Sequence, residues 1–105
     1  MTPAPRRVMV RYTLKADRVA ENEQLIAAVF AELERTAPAG LCYATFRLPD
    51  GVSVMHLASI AADVGNPLMA TAAFRRFVEA IADRCVEPPV TTELAMLGAY
   101  RMFAS

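Results

Sequence analysis

The sequence is poor in tryptophan, histidine and cysteine, and it has no excess of charge of one sign. It contains no tryptophan, one histidine and two cysteines, and its 11 basic residues are balanced by 11 acidic ones. This balance excludes the basic surface with which proteins bind nucleic acid or anionic membranes. No apolar run approaches the about 20 residues that span a bilayer, and the arginines near the N-terminus are not followed by the apolar segment of a signal peptide. We therefore expect a cytoplasmic protein that binds neither nucleic acid nor membranes.

The scarcity of cysteine and histidine also limits the chemistry. Cys42 and Cys85 are far apart in the sequence, so they form neither a disulfide framework nor a metal-binding motif. Their low number is typical of a reducing compartment. His56 has no second histidine with which to share a metal ion, and the isolated glycines make no phosphate-binding loop. We expect neither a metal nor a cofactor.

Apolar residues, in contrast, are abundant. They make up 55% of the 105 residues, although a domain of this size has a high ratio of surface to volume and should be more polar than average. Apolar surface in excess on a small chain indicates a subunit interface. The length fits one domain, predicted at 8–105 after a flexible N-terminal tail at 1–7.

Hydrophobic periodicity and turn residues divide the chain into six elements. Predicted are strands at 8–14, 41–48, 52–60 and 91–103, and helices at 17–35 and 66–85. Asp17 and Asn66 are the expected N-caps, while the prolines at 88 and 89 are expected to end the second helical segment, with Cys85 on its apolar stripe. The order βαββαβ predicts an α+β, ferredoxin-like fold: a four-stranded antiparallel sheet with two helices on one face.

The turn Pro49-Asp50-Gly51 predicts a three-residue hairpin loop with Leu48 opposite Val52. One sheet face would then carry Cys42, Ala44, Phe46, Val54, His56, Ala58 and Ile60. The other would carry Leu41, Tyr43, Thr45, Met55 and Leu57. Both faces are largely apolar, but the helices can cover only one. We therefore expect a homodimer in which two sheets meet as a dimeric α/β barrel, enclosing an apolar cavity for a small molecule.

Four segments resemble the antibiotic-biosynthesis monooxygenase-like superfamily of dimeric α/β barrels. They are the strand VMVRYTLKADR, the helix ENEQLIAAVFAELE, the hairpin CYATFRLPDGVSVMHLASI and the helix start NPLMATAAFRRF. The resemblance implies the same fold and an activity such as cofactor-free oxygenation of aromatic polyketides or quinols. The segment Ala58-Ser59-Ile60 lacks the acid and aromatic ring that often follow at this strand end in the family, and the absence of tryptophan disfavours the haem-degrading branch.

Two residues are candidates for catalysis. His56, on an apolar face, could orient or deprotonate a phenol or enol as a neutral imidazole; alternatively, it is a hydrogen-bonded structural histidine. Arg11 lies on a strand face that the resemblance turns inward, where it could hold an enolate, a carboxylate or superoxide; alternatively, it forms an ion pair, for example with Glu93. The predicted substrate-binding residues are Cys42, Phe46, Val54 and Ala58.

Three functions remain open from the sequence. The first is a cofactor-independent monooxygenase acting on a small aromatic, quinol or polyketide-like substrate. The second is a small-molecule-binding or purely structural homodimer without catalytic activity. The third is a proton-transfer isomerase or decarboxylase-like enzyme in the same barrel, which would share the His56 base but would not need oxygen.

Overall fold

Four antiparallel strands form one sheet in the order β2-β3-β1-β4, in a computed structural model that describes residues 4–102. The elements in chain order are β1 (Arg6–Leu14), a 3₁₀ turn (Ala16–Arg18), α1 (Val19–Thr36), β2 (Leu41–Arg47), β3 (Ser53–Ile60), α2 (Ala72–Val78), α3 (Ile81–Arg84) and β4 (Cys85–Glu93). The helices lie on one face of the sheet, and the main core forms between them and the sheet. The predicted ferredoxin-like architecture is thereby confirmed.

The first helix agrees with its sequence pattern except at its start. It begins at Val19 after the 3₁₀ turn, so Asp17 lies in that turn and Arg18 occupies the N-cap position. The Arg18 guanidinium instead donates to the Glu21 carboxylate at 2.6 Å and 3.0 Å. The helix ends where Ala37 adopts a left-handed conformation and its N–H donates to the Leu33 carbonyl, just before the proline at position 38.

The β2–β3 register differs by one residue from the predicted one. Thr45 lies opposite His56, Tyr43 opposite Ala58 and Phe46 opposite Met55. Asp50 accounts for the difference because its carboxylate accepts the N–H groups of Val52 and Ser53 and also the Ser53 hydroxyl. These bonds hold Val52 within the loop and lengthen it by one residue. A shift of one residue exchanges the two faces of a strand.

The corrected register changes the composition of both sheet faces. Val54, His56, Ala58 and Ile60 of β3 point towards the helices, where all four are buried. The opposite face, which we call the outer face, carries Met9, Arg11, Cys42, Ala44, Phe46, Met55 and Leu57. It is still mostly apolar, although its β3 residues are not those predicted.

The second helical segment is shorter than predicted and is broken. The Thr71 hydroxyl accepts the Phe74 N–H and caps α2, whereas Asn66 caps only the preceding turn by accepting the Leu68 N–H. Ala80 adopts a left-handed conformation (φ 57°) between α2 and α3. Cys85 therefore does not lie on a helix: it begins β4 and is buried in the core.

The last strand is displaced towards the N-terminus relative to its prediction. It contains both prolines and ends at Glu93, whereas we had predicted a strand at 91–103. Proline is tolerated because β4 is an edge strand, and its register shifts beside the prolines, between Arg11 and Thr13 of β1. From Leu94 to Met102 the chain has no regular secondary structure, and position 103 lies outside the described residues.

At the other end of the chain, β1 starts at Arg6, two residues earlier than expected. Of the predicted tail at 1–7, residues 1–3 lie outside the described part, and residues 6 and 7 belong to the sheet opposite Ile60 and Ser59.

Candidate functional site

An apolar pocket of about 340 Å³ lies between the sheet and the α2–α3 segment. Strands β1 and β3 form its floor, and the rings of Phe74 and Phe77 from α2 form part of its wall. The other apolar lining residues include Val8, Val10, Ala58, Ile60, Leu68, Val78 and Ile81. The volume and the apolar lining are those of a site for a small organic molecule.

His56 is the polar centre of this pocket. Its side chain points from the middle of β3 towards the helices and is only 4% exposed. The prediction that His56 faces a cavity between two sheets is therefore wrong. The cause is the one-residue shift of the hairpin, because His56 pairs with Thr45 rather than with Ala44.

Both ring nitrogens of His56 have hydroxyl partners. Nε2 lies 2.8 Å from the Tyr12 hydroxyl oxygen. Nδ1 lies 2.6 Å from the Tyr43 hydroxyl oxygen and 3.0 Å from Thr45 Oγ1. The strands bring these groups together, because Tyr43 and Thr45 alternate on the helix-facing side of β2 and Tyr12 holds the same side of β1.

The hydrogen bonds continue from Tyr12 into α1 and to the end of α3. The Asn22 amide donates to the Tyr12 oxygen at 2.9 Å, and Arg84 Nε donates to the Asn22 carbonyl at 3.1 Å. Arg84 also donates to the carbonyls of Phe77 at 2.6 Å and Glu79 at 3.2 Å, which the break between α2 and α3 leaves unpaired within the helices. Asn22 and Arg84 are both buried, so six side chains form one polar network from helix end to pocket.

Burial keeps His56, Tyr12 and Tyr43 neutral near pH 7. It lowers the pKa of His56 from 6.5 to about 4, because the imidazolium would lose its hydration. It raises the pKa of Tyr43 to about 12 and that of Tyr12 further, although the Asn22 bond partly offsets the effect at Tyr12. The site therefore presents a neutral imidazole between two phenols. Such a site can exchange hydrogen bonds with a ligand oxygen, and the one charged residue among those that line it, Arg6, is paired with Glu93 at 3.1 Å.

Aromatic packing holds the rings of the network in place. The Tyr43 ring stacks on Phe30 of α1 at 5.3 Å between centroids and meets Phe74 edge to face at 6.4 Å. His56 lies 5.4 Å from the Phe77 ring. A hydroxyl on a ring fixed in this way can be aimed at a ligand without reordering on binding.

The sequence-predicted site residues are divided between the two faces of the sheet. Ala58 lines the pocket beside His56, and Val54 lies buried one pair away on the same face. Arg11 is opposite Met55 on the outer face, so the sheet separates it from His56. Cys42 and Phe46 also alternate onto the outer face.

The site residues predicted from the sequence did not include Asn22, Arg84, Tyr12 or Tyr43. A signal for Asn22 was present: it is a polar residue in register with the apolar stripe of Ile26 and Val29 on α1. Arg84 gave no such signal, because its position depends on the helix break. Tyr100 is 81% exposed and is not among the residues that line the pocket.

The part of the chain that the structure describes shows neither a metal-binding cluster nor a membrane-spanning helix. No group of three His, Cys, Asp or Glu side chains within 4–102 could hold a metal ion. In the same range, no helix has the length and apolarity needed to cross a membrane.

No protein-family model matches the chain, and no curated protein does either. Solved structures, however, are similar over nearly its whole length. Rv0793 from Mycobacterium tuberculosis is 16% identical, with a TM-score of 0.75 over 91% of this chain and 98% of that one. A protein described as an antibiotic biosynthesis monooxygenase is 17% identical, with a TM-score of 0.69 over 89% and 99%.

A variant of SnoaB, a cofactor-independent oxygenase from Streptomyces nogalater, is also 17% identical, with a TM-score of 0.68 over 92% of this chain and 97% of that one. Identities this low establish the fold and leave the substrate open. The chain shares the fold of these structures, among them proteins described as an antibiotic biosynthesis monooxygenase and a cofactor-independent oxygenase, as its sequence predicted.

Proposed function

We propose that the chain is a cofactor-independent monooxygenase that binds a small aromatic, quinol or polyketide-like substrate in the pocket between the sheet and the α2–α3 segment. The observation that carries this proposal is the neutral His56, bonded on both nitrogens to hydroxyls, at the centre of an apolar pocket. The fold shared with SnoaB supports the same class of reaction. Arg11, on the other side of the sheet, has no part in this site.

The proposed reaction needs no cofactor because an electron-rich substrate anion can itself reduce oxygen. In an anthrone-type substrate, the methylene carbon loses its two hydrogens and gains one oxygen atom as a carbonyl. The second atom of O₂ leaves with those hydrogens as water, so the carbon supplies all four electrons. The protein contributes a dry pocket and hydrogen bonds that stabilise charge on the substrate oxygen.

Within this scheme, Tyr43 is the substrate-contacting hydroxyl. It lines the pocket and is less deeply buried than Tyr12. Both nitrogens of His56 are already occupied by hydroxyls, so His56 acts on the substrate through Tyr43 as a positioning residue.

The test is oxygen uptake by the purified protein with a panel of hydroquinones and anthrones. We expect uptake above the rate without protein, and a fall of about a hundredfold or more in Tyr43→Phe, the typical effect of removing one donor to a developing oxyanion. Tyr100→Phe is the matched control, since it removes an exposed hydroxyl outside the pocket. No uptake with any compound, or equal uptake by Tyr43→Phe and the unmodified protein, would overturn the proposal.

The same panel separates the alternatives. Binding in calorimetry without oxygen uptake or product would indicate a non-catalytic binding protein. Product formed at the same rate under nitrogen would indicate an isomerase or decarboxylase-like enzyme.

We also propose that the chain is a homodimer through the outer face of the sheet. That face is mostly apolar. The segment after β4 also exposes large apolar side chains, namely Leu94, Met96, Leu97, Tyr100 and Met102. Apolar surface of this extent is typical of a subunit interface. Light scattering after size exclusion should give twice the chain mass of 11.4 kDa, and a monomer would contradict the proposal.

A further inference from the structure

The buried network has a direction, and Arg84 determines it. Arginine carries only donors, so the Asn22 atom 3.1 Å from Arg84 Nε must be the amide oxygen. The Asn22 nitrogen therefore faces Tyr12 and donates to its hydroxyl oxygen. The opposite amide orientation would place two donors against each other at a fully buried side chain.

The direction continues from Tyr12 to His56. The Tyr12 oxygen accepts a hydrogen bond from Asn22, so the Tyr12 hydroxyl must donate its own proton to a different acceptor. Because Tyr12 is only 2% exposed, that acceptor must lie within the protein. The acceptor in reach is His56 Nε2, at 2.8 Å. A neutral imidazole that accepts at Nε2 carries its proton on Nδ1. His56 Nδ1 then donates to the Tyr43 oxygen, 2.6 Å away.

The network ends at the pocket. Tyr43 accepts from His56, and the Thr45 hydroxyl oxygen lies 3.0 Å from the same nitrogen. Of these two hydroxyls, Tyr43 lines the pocket. Because the Tyr43 oxygen accepts from His56, the Tyr43 proton is left to donate to whatever occupies the pocket.

We propose that Arg84 and Asn22 are positioning residues that fix His56 as the Nδ1–H tautomer, so that Tyr43 donates its proton to an acceptor oxygen of the ligand. The recognised class is therefore an aromatic or fused-ring compound with a carbonyl, enolate or phenolate oxygen. The ligand part of this inference rests on the proposed binding pocket, whereas the tautomer can be measured without any ligand.

The sequence offers an isosteric reversal of the network. In Asn22→Asp, the carboxylate can only accept hydrogen bonds. It can therefore keep the bond from Arg84 and also accept a hydrogen bond from the Tyr12 hydroxyl. The Tyr12 oxygen must then accept from His56 Nε2, which moves the imidazole proton from Nδ1 to Nε2. Tyr43 would then donate to the unprotonated Nδ1, and its O–H would no longer be available to donate to the ligand. Gln24→Glu, at an exposed position of the same helix, is the charge-matched control.

The tautomer can be read from ¹⁵N NMR of protein labelled at histidine and freed of any tag, because His56 is the only histidine. Couplings to the ring carbon protons distinguish the two nitrogens. We expect Nδ1–H in the unmodified protein and in Gln24→Glu, and Nε2–H in Asn22→Asp. Nε2–H in the unmodified protein would overturn the inference. The measurement on the unmodified protein tests the tautomer even if Asn22→Asp does not fold.

Ligand recognition is tested by calorimetry with 1-tetralone and tetralin, which differ by one carbonyl oxygen. A net hydrogen bond predicts that the unmodified protein prefers tetralone by about three- to tenfold. The preference should disappear in Asn22→Asp and in Tyr43→Phe and persist in Gln24→Glu. An unchanged preference in Tyr43→Phe would refute the ligand part. Neither arm depends on oxygen uptake, so failure of the monooxygenase proposal would be seen separately.

Discussion

The stability of the protein should depend on the ionisation of a single buried histidine. His56 has a pKa of 6.5 when exposed in the unfolded chain and about 4 in the fold. The folded state therefore binds fewer protons than the unfolded state between these values. The contribution of neutral His56 is complete above the unfolded pKa and is lost as the pH falls through 6.5 towards 4.

The expected magnitude follows from linkage. Each pH unit between the two pKa values changes the free energy of unfolding by about 1.4 kcal/mol. Between about pH 7 and about pH 5, the protonation of the unfolded chain lowers stability by about 2 kcal/mol. This window lies above the range in which Asp50, Glu21 and Glu32 titrate, since interactions lower the pKa of each of these carboxyls in the fold.

The assay is urea unfolding followed by far-ultraviolet circular dichroism, at a fixed protein concentration in case of dimerisation. His56→Gln is the comparison variant, since it keeps hydrogen-bonding capacity but does not titrate. We expect the unmodified protein to lose about 2 kcal/mol over this window and His56→Gln to lose far less. Equal losses in the two proteins would refute the assignment of a neutral, desolvated His56.

Two further predictions concern packing and assembly. Gly40→Ala should destabilise the fold by about 1–2 kcal/mol, because Gly40 has φ +78° and an added Cβ would lie 2.9 Å from a Val64 methyl. Gly65→Ala should cost less, because Gly65 has φ +69° but open space around an added Cβ. Equal unfolding free energies of the two variants would contradict this. Cys42 is exposed on the outer face, whereas Cys85 is buried in the core of each chain. A dimer through the outer face should therefore protect Cys42 from a thiol reagent until dilution separates the chains, and Cys85 should stay protected at any concentration. Rapid reaction of Cys42 at concentrations where light scattering reports a dimer would exclude this interface.

Periodicity was sufficient to predict the fold because it reports which side of an element is buried. The alternation of β1 correctly placed Tyr12 towards the helices and Arg11 on the other side. The spacing of Ile26, Val29 and Leu33 identified the buried side of α1. These patterns depend on burial summed over many residues, so one unusual contact does not change them.

The site depended on single contacts that a pattern does not reveal. The Asp50 carboxylate bonds changed the hairpin register and thereby moved His56 to the other face. The left-handed Ala80 ended α2 early and brought Arg84 back to Asn22. Alanine rarely adopts this conformation, so its sequence gave no indication of the break. The prolines of β4 resembled a helix end, although an edge strand accommodates them equally well.

The proposed ligand site lies inside each chain, beneath the α2–α3 segment, and not against the outer face of the sheet. The most direct test is the pattern of intermolecular nuclear Overhauser effects between bound 1-tetralone and the protein. We predict contacts to the rings of Phe74 and Phe77 and to the Ile81 methyls, which line the pocket. Contacts confined to the methyls of Met9 and Met55, on the outer face, would contradict the claim.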